Sequence, residues 1–356
     1  MTTTNLGLYI HIPFCRKKCP YCDFYSTGYT EDLSKQYADA VIRNLRCYGE
    51  KYDTVYFGGG TPILAASEIP RILKACEIES GAEITVECNP CEMDRKTLET
   101  LYNAGVNRIS IGIQSANDTE LAALGRTHTF DEARRAVLLA GEVGFRDVSA
   151  DLMLGIPQQT LNSLEYSVNK LSELPLSHVS AYLLKIEPNT VFGKKPPTIP
   201  NEDEQAELYL KAVEELHKNG FEQYEISNFA RNGMQSRHNL KYWRREEYLG
   251  IGAAAHSFYK GKRFAVARNL REFIAEPRQI EQITDDSPDD TEEKIMLGLR
   301  LCEGIPKELW KRVESGLRLV PKQYYKIENE RLSLTAEGFL VSNEIISTLL
   351  SRIEDN

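Results

Sequence analysis

Cys15, Cys19 and Cys22 fall within one short segment in the order C-x3-C-x2-C. Thiolates so spaced on a tight loop can wrap one corner of a cubane. Three of them leave one iron of a [4Fe–4S] cluster open, where a simple electron-transfer cluster takes four ligands. S-adenosylmethionine (SAM) can chelate that iron through its amino and carboxylate groups. An electron from the cluster then cleaves the sulfonium C–S bond and yields a 5′-deoxyadenosyl radical. The cofactor supplies that chemistry and the protein positions it. Zinc is the alternative, with His11 completing a Cys3His set. His11, however, falls in a predicted strand rather than a knuckle, and zinc leaves the glycine run at 58–60 without a role.

The other five cysteines, at 47, 76, 88, 91 and 302, are scattered. Cys88 and Cys91 read as a buried thiol and a loop thiol rather than a redox pair. The first apolar stretch, Leu6–Ile12, is too short for a signal sequence, and no run approaches the ~20 apolar residues of a spanning helix. The expectation is a cytoplasmic chain without a transmembrane segment, in which clustered cysteines mark a metal site and not a disulfide framework. A net charge of −9 makes nucleic acid a poor default partner.

These residues need a scaffold. Apolar runs at Leu6–Ile12, Thr54–Phe57, Glu83–Cys88, Arg108–Ile113, Val148–Leu154 and His178–Leu184 read as strands. Helical patterns at Leu33–Tyr48, Ile69–Cys76, Thr97–Ala104, Ala133–Val143 and Leu161–Leu174 alternate with them. Such alternation predicts an α/β fold with a parallel sheet. Six β/α units are fewer than the eight of a closed barrel, so the expected form is an open, partial (β/α)6 TIM-type barrel. The polar residues then line up on one rim. The cysteines follow the first strand and Gly58-Gly59-Gly60-Thr61 the second. Glu87 ends the third and Gln114 the fourth, and Asp151 lies near the end of the fifth. In parallel barrels the C-terminal strand ends carry the active site.

Residues 191–202 read as a loop before a helix over Glu204–Asn219. The predicted domains are 1–284, the barrel with an extension, and 285–356. In the second, helical patterns (Glu293–Leu301, Lys307–Val313), a short strand (Arg331–Leu334) and a helix (Ala336–Leu350) suggest a small α+β, winged-helix-like unit. It carries five Lys and five Arg against five Asp and ten Glu, which suits a lid or docking role rather than DNA binding.

The segments YIHIPFCRKKCPYCDFYS, YFGGGTP, ECNP, RISIGIQS, LGRTH, DLMLGIPQQT, YEISNFAR, RHNLKYW, LGIGAAAHSF and MLGLRLCEGI together resemble the oxygen-independent coproporphyrinogen III oxidase-like (HemN-like) branch of radical SAM proteins. Within that branch the chain is most similar to the HemW-type heme chaperones. The resemblance spans essentially the whole chain. It implies that Tyr9, Tyr21, Gly59 and Glu87 contact SAM at the cluster, with a side chain at Gly59 filling the ligand's space. It matches Gly60, Thr61, Gln114, Arg126 and Asp151 to a second SAM position.

One departure matters. The decarboxylating enzymes of this branch have a further cysteine two residues after the third ligand, needed for activity but not a ligand. Here that position is Phe24, which speaks against coproporphyrinogen decarboxylation and matches the chaperones. The resemblance also makes the HNxxYW segment, with His238, Tyr242 and Trp243, a heme-binding mark. An imidazole can ligate heme iron and aromatic rings can stack on a porphyrin. Read without the family, His238 is a loop histidine bonded to its neighbours, with Tyr242 and Trp243 in a core. The implied function is heme binding and delivery to acceptor hemoproteins, including membrane-bound respiratory proteins. His128, His178 and His217 read as surface or packing histidines, and His256 as a hydrogen-bonded core histidine.

Overall fold

The computed structural model describes residues 6–353. Twelve strands share one sheet. In chain order they are β1 (Gly7–Ile12), β2 (Lys51–Gly59), β3 (Glu77–Cys88), β4 (Arg108–Gln114), β5 (Asp147–Leu154), β6 (His178–Leu183), β7 (Glu222–Glu225), β8 (Asn228–Ala230), β9 (Tyr248–Ile251), β10 (His256–Tyr259), β11 (Lys262–Val266) and β12 (Glu281–Asp285). Strands β1 to β6 pair in parallel in chain order. The helices α1 (Glu31–Tyr48), α2 (Ile69–Lys74), α3 (Arg95–Asn103), α4 (Phe130–Val143) and α5 (Leu161–Ser172) fill the crossovers. This is a partial (β/α)6 barrel.

The sheet extends further than the six expected strands. β9 adds in parallel on the free side of β1, and β10 to β12 continue antiparallel from it. At the other end β8 adds antiparallel to β6, and β7 antiparallel to β8. The extensions hid in the sequence because each is only three to five residues long. β9 sits in a glycine- and alanine-rich run, and β11 and β12 mix charges with apolar residues as exposed strands do.

Strand period sorts the barrel's faces. Leu8, Ile10 and Ile12, Ile84 and Val86, Ile109, Ile111 and Ile113, and Val148, Ala150 and Leu152 are buried on one face. They meet the buried stripes of the helices, such as Tyr37, Val41 and Leu45 of α1 or Ala133, Val137 and Ala140 of α4. The alternate residues face the interior and are polar: His11, Tyr56, Thr85, Glu87, Ser110 and Asp151 among them. Helix boundaries follow local chemistry. Thr30 caps α1 by accepting from the Leu33 N–H, and Gly49 ends it with φ 61°.

Residues 191–202 are not all loop, since Val191–Lys194 forms a helical turn. α6 (Glu202–Lys218) follows. Near the C-terminus a small antiparallel sheet pairs Ile305–Pro306 and Tyr325–Glu328 with the central strand Arg331–Leu334. Its hairpin turns through Asn329 and Glu330, with φ 49° and 61°, the sign pattern of a tight primed turn. The last helix breaks at Val341 into Ala336–Leu340 and Ser342–Leu350. Helices around a small winged sheet complete the α+β C-terminal unit. Glu293 joins it to the barrel, accepting from Arg245 and Arg263 at 2.6 Å each. Among the described residues no helix is long and apolar enough to cross a membrane.

Candidate iron–sulfur and heme site

The cysteine loop is tied at both ends. Phe14–Cys15 pairs with Thr27–Gly28, and the Thr27 N–H donates to the Pro13 carbonyl at 2.7 Å. The glycine run after β2 is stitched to the same loop: Gly60 N–H donates to Ile12 O and Thr61 N–H to Phe14 O, at 2.9 and 2.7 Å. A Cβ on Gly60 would lie 2.6 Å from the Phe14 carbonyl oxygen, so only glycine permits this approach. Cys15, Cys19 and Cys22 then share one cavity with Tyr21, Gly59, Gly60, Thr61, Glu87, Gln114, Arg126 and Asp151. Tyr9 is not among them. It faces a neighbouring cleft instead.

The donor set suits a cluster. Arg126 donates to Cys19 Sγ at 3.5 Å and to the Gly112 carbonyl at 2.6 Å, so a fixed cation lies against one of the three sulfurs. Thr61 Oγ1 lies 3.6 Å from Cys15 Sγ. His11 does not complete a zinc set: its Nε2 meets the Tyr25 carbonyl at 2.9 Å and its Nδ1 the Tyr9 hydroxyl at 3.1 Å.

Two half-buried carboxyls, Glu87 and Asp151, lie on β3 and β5. Burial pushes Glu87 up to about 7, against the opposing effect of the Tyr56 hydroxyl that donates to it at 2.8 Å. Burial likewise pushes Asp151 up to about 6. Acids held this way call for a cationic or donor-rich ligand, and SAM has a sulfonium and an ammonium group. Gln114 takes a left-handed φ of 76° at an irregularity in the β4–β5 pairing. Its side-chain oxygen accepts from Tyr182 at 3.2 Å. Strain of this kind in a non-glycine residue is held by its surroundings and concentrates at functional sites. At Gly59, with φ 114°, a Cβ would strike the His11 ring at 2.5 Å. The glycine therefore makes room for His11; the expected reason, a clash with ligand, is corrected.

The HNxxYW segment is a helix, α7 (Arg237–Trp243), not a loop. Glu83 caps its start, accepting from the Arg237 and His238 N–H groups at 2.8 and 2.9 Å. His238 is fully buried. Its Nδ1 meets Thr54 Oγ1 and its Nε2 meets the Tyr242 hydroxyl, each at 2.8 Å. Its ring stacks on Tyr56, with centroids 5.2 Å apart. Burial, with the nearby Lys241 charge, pushes this imidazole down to about 3. Trp243 packs on a separate small core with Tyr224, Leu240 and Leu301. The implied role of His238 as an iron ligand does not fit this geometry: both its nitrogens are paired and Trp243 packs in the small core, as the reading without the family has it, while Tyr242 lines a cleft.

Comparison with known proteins bears on this geometry. The model of the radical SAM superfamily matches residues 9–171. The Haemophilus influenzae heme chaperone HemW is 34% identical, over 97% of this chain and 98% of its own. The Escherichia coli heme chaperone HemW is 37% identical over 85% and 84%. This chain belongs to the HemW family. Membership in the radical SAM superfamily implies a [4Fe–4S] cluster and SAM. The solved structure of the coproporphyrinogen III oxidase HemN from E. coli shares the fold, with a TM-score of 0.83 at 20% identity over 97% of this chain and 90% of that one.

In this HemW-family chain the cleft beside the cysteine-lined cavity has a volume of about 610 Å³. Phe24 is 65% exposed and lines both cavities. His256, expected in the core, is exposed at the start of β10 and lines the cleft. Sequence reasoning missed Tyr56, Thr54 and Glu83, which hold Glu87, His238 and α7. Their only signal was alternation: each occupies an inward-facing position of a strand whose other face is apolar.

Proposed function

We propose that this protein binds heme next to a SAM-bound [4Fe–4S] cluster and delivers it to acceptor hemoproteins. The observation that carries the reading is the large aromatic-lined cleft that meets the cluster cavity at Phe24. The names of the H. influenzae and E. coli relatives support it. Cys15, Cys19 and Cys22 would hold the cluster. Tyr21, Gly59, Gly60, Thr61, Glu87, Gln114, Arg126 and Asp151 would receive SAM, with Tyr9 contributing from the cleft side. The bound cofactors supply one-electron reduction of SAM.

The chain's own residues set the conditions. Arg126 donates a hydrogen bond to Cys19, and the carboxyls Glu87 and Asp151 accept the cationic parts of SAM. Phe24 presents an inert ring where decarboxylation calls for a thiol. Tyr242 presents its ring to the cleft, with His238 holding its hydroxyl from behind. We assign residues 285–356 a docking role for the acceptor and place the protein in the cytoplasm, with membrane-bound respiratory proteins among the acceptors. The test is anaerobic: heme-loaded protein is mixed with an apo-hemoprotein, and movement of the heme absorbance to the acceptor is followed. Saturable binding and transfer are expected. Absence of heme binding would defeat the proposal.

A further inference from the structure

We infer that the cleft itself is the heme seat and that His256, rather than His238, is the iron ligand, with Arg268 facing the propionates. The inference rests on the heme-binding reading above and specifies its site.

Heme makes three demands: flat apolar walls, an imidazole nitrogen with a free lone pair, and a cation at the edge that carries two carboxylates. His238 fails the second. It is fully buried and both its nitrogens are already paired. Ligation through it would break the Tyr242 contact and require α7 to leave the barrel. His11 borders the cleft but is nearly buried and paired to Tyr9 and Tyr25. His256 is exposed on the cleft wall. Its backbone is fixed, because β10 pairs with β11 in the register His256 to Ala265, and the next three residues of β10 are buried. The ring thus projects from a rigid strand.

The walls meet the first demand. Ala254, Ala265 and Ala267 keep one side low, and Phe24, Tyr25 and Tyr242 supply rings. The volume of about 610 Å³ lies within the range of small-molecule sites. Arg268 meets the third demand. Its side chain is 54% exposed at the cleft and is held near Asp23, with Nη1 3.6 Å from the carboxylate, so its guanidinium is positioned yet reachable. One imidazole and one exposed cation suit a cargo that must leave again.

The test titrates hemin, and separately iron-free protoporphyrin IX, into cluster-loaded full-length protein without oxygen. Thermal unfolding and cluster absorbance serve as controls of fold. Wild type should give a histidine-ligated Soret band. His256→Ala should lose that band and bind hemin at least tenfold more weakly, while binding protoporphyrin IX as wild type does. Ala265→Trp should exclude both, and Arg268→Glu should weaken both. An unchanged Soret band and affinity in His256→Ala would overturn the ligand assignment, and normal binding by Ala265→Trp would overturn the seat. Either result leaves the heme-binding reading standing, whereas a wild type that binds no heme would defeat that reading itself.

Discussion

The Nε2 of His238 lies 2.8 Å from the Tyr242 hydroxyl, so the tyrosine meets the cleft and the histidine stands behind it. Tyr242→Phe leaves a buried ring nitrogen without its partner. We expect a loss of about 1–3 kcal/mol in unfolding free energy, measured by denaturant titration, with the cluster retained. An unchanged stability would mean that water replaces the hydroxyl, and that the pair is less closed than its burial indicates.

Cluster content tests the three thiols. Any one of Cys15→Ala, Cys19→Ala or Cys22→Ala should remove most of the iron and sulfide taken up on anaerobic reconstitution, whereas Cys88→Ala should not. Cys88 is buried and its thiol bonds to the Val86 carbonyl. Stoichiometric zinc with no uptake of iron and sulfide would contradict the cluster.

Glu87 carries a pH signature with opposite effects on fold and ligand. Its folded pKa of about 7 is above the ordinary value of 4.5. The folded state therefore holds a proton that the unfolded chain releases between those values. The stability this gives is complete below 4.5 and fades as pH rises through about 7. Glu87→Gln should accordingly stabilise the SAM-free protein at pH 8, by on the order of 1–3 kcal/mol. The same change should weaken SAM binding. Wild-type SAM affinity should fall as pH drops through 7 and the carboxylate is neutralised, while the variant's affinity stays flat. Calorimetry at pH 6 and 8 separates these outcomes.

Phe24 predicts a negative assay. Under reducing, anaerobic conditions with SAM, conversion of coproporphyrinogen III should be negligible. Accumulation of protoporphyrinogen at enzyme-like turnover would favour decarboxylation over heme delivery.

The barrel and its rim were legible in the sequence because two strong periodicities coincide there: apolar alternation in β2 to β6 and amphipathic helices between them. Cys15, Glu87, Gln114 and Asp151 follow from that register, since each is placed by a strand end. What stayed hidden depended on contacts between segments far apart in the chain. Nothing local to His238 reveals that Thr54 and Tyr56 of β2 enclose it, or that Glu83 of β3 caps its helix. His256 was misread for the same reason. Its neighbours are small and apolar, which suggests a core, but they border a cleft.

The two glycines of the rim separate packing from ligand contact. Gly59 has φ 114°, and an added Cβ would lie 2.5 Å from the His11 ring. That ring is buried between Tyr9 and the Tyr25 carbonyl, so it has no room to retreat. Gly59→Val should lower cluster loading and stability together, and so cannot report on SAM. Gly112 differs. It has no such backbone constraint, lines the cluster cavity, and its Cβ would first meet the side-chain ends of Gln114 and Arg126, at 3.0 and 3.3 Å. Gly112→Val should therefore direct its bulk into the ligand's space, while the backbone bonds that tie the cysteine loop to Gly60 and Thr61 are left in place. We expect SAM affinity to fall at least tenfold in calorimetry while iron content and melting temperature stay near wild type. Wild-type SAM binding by Gly112→Val would place the ligand away from the ends of β4 and β5.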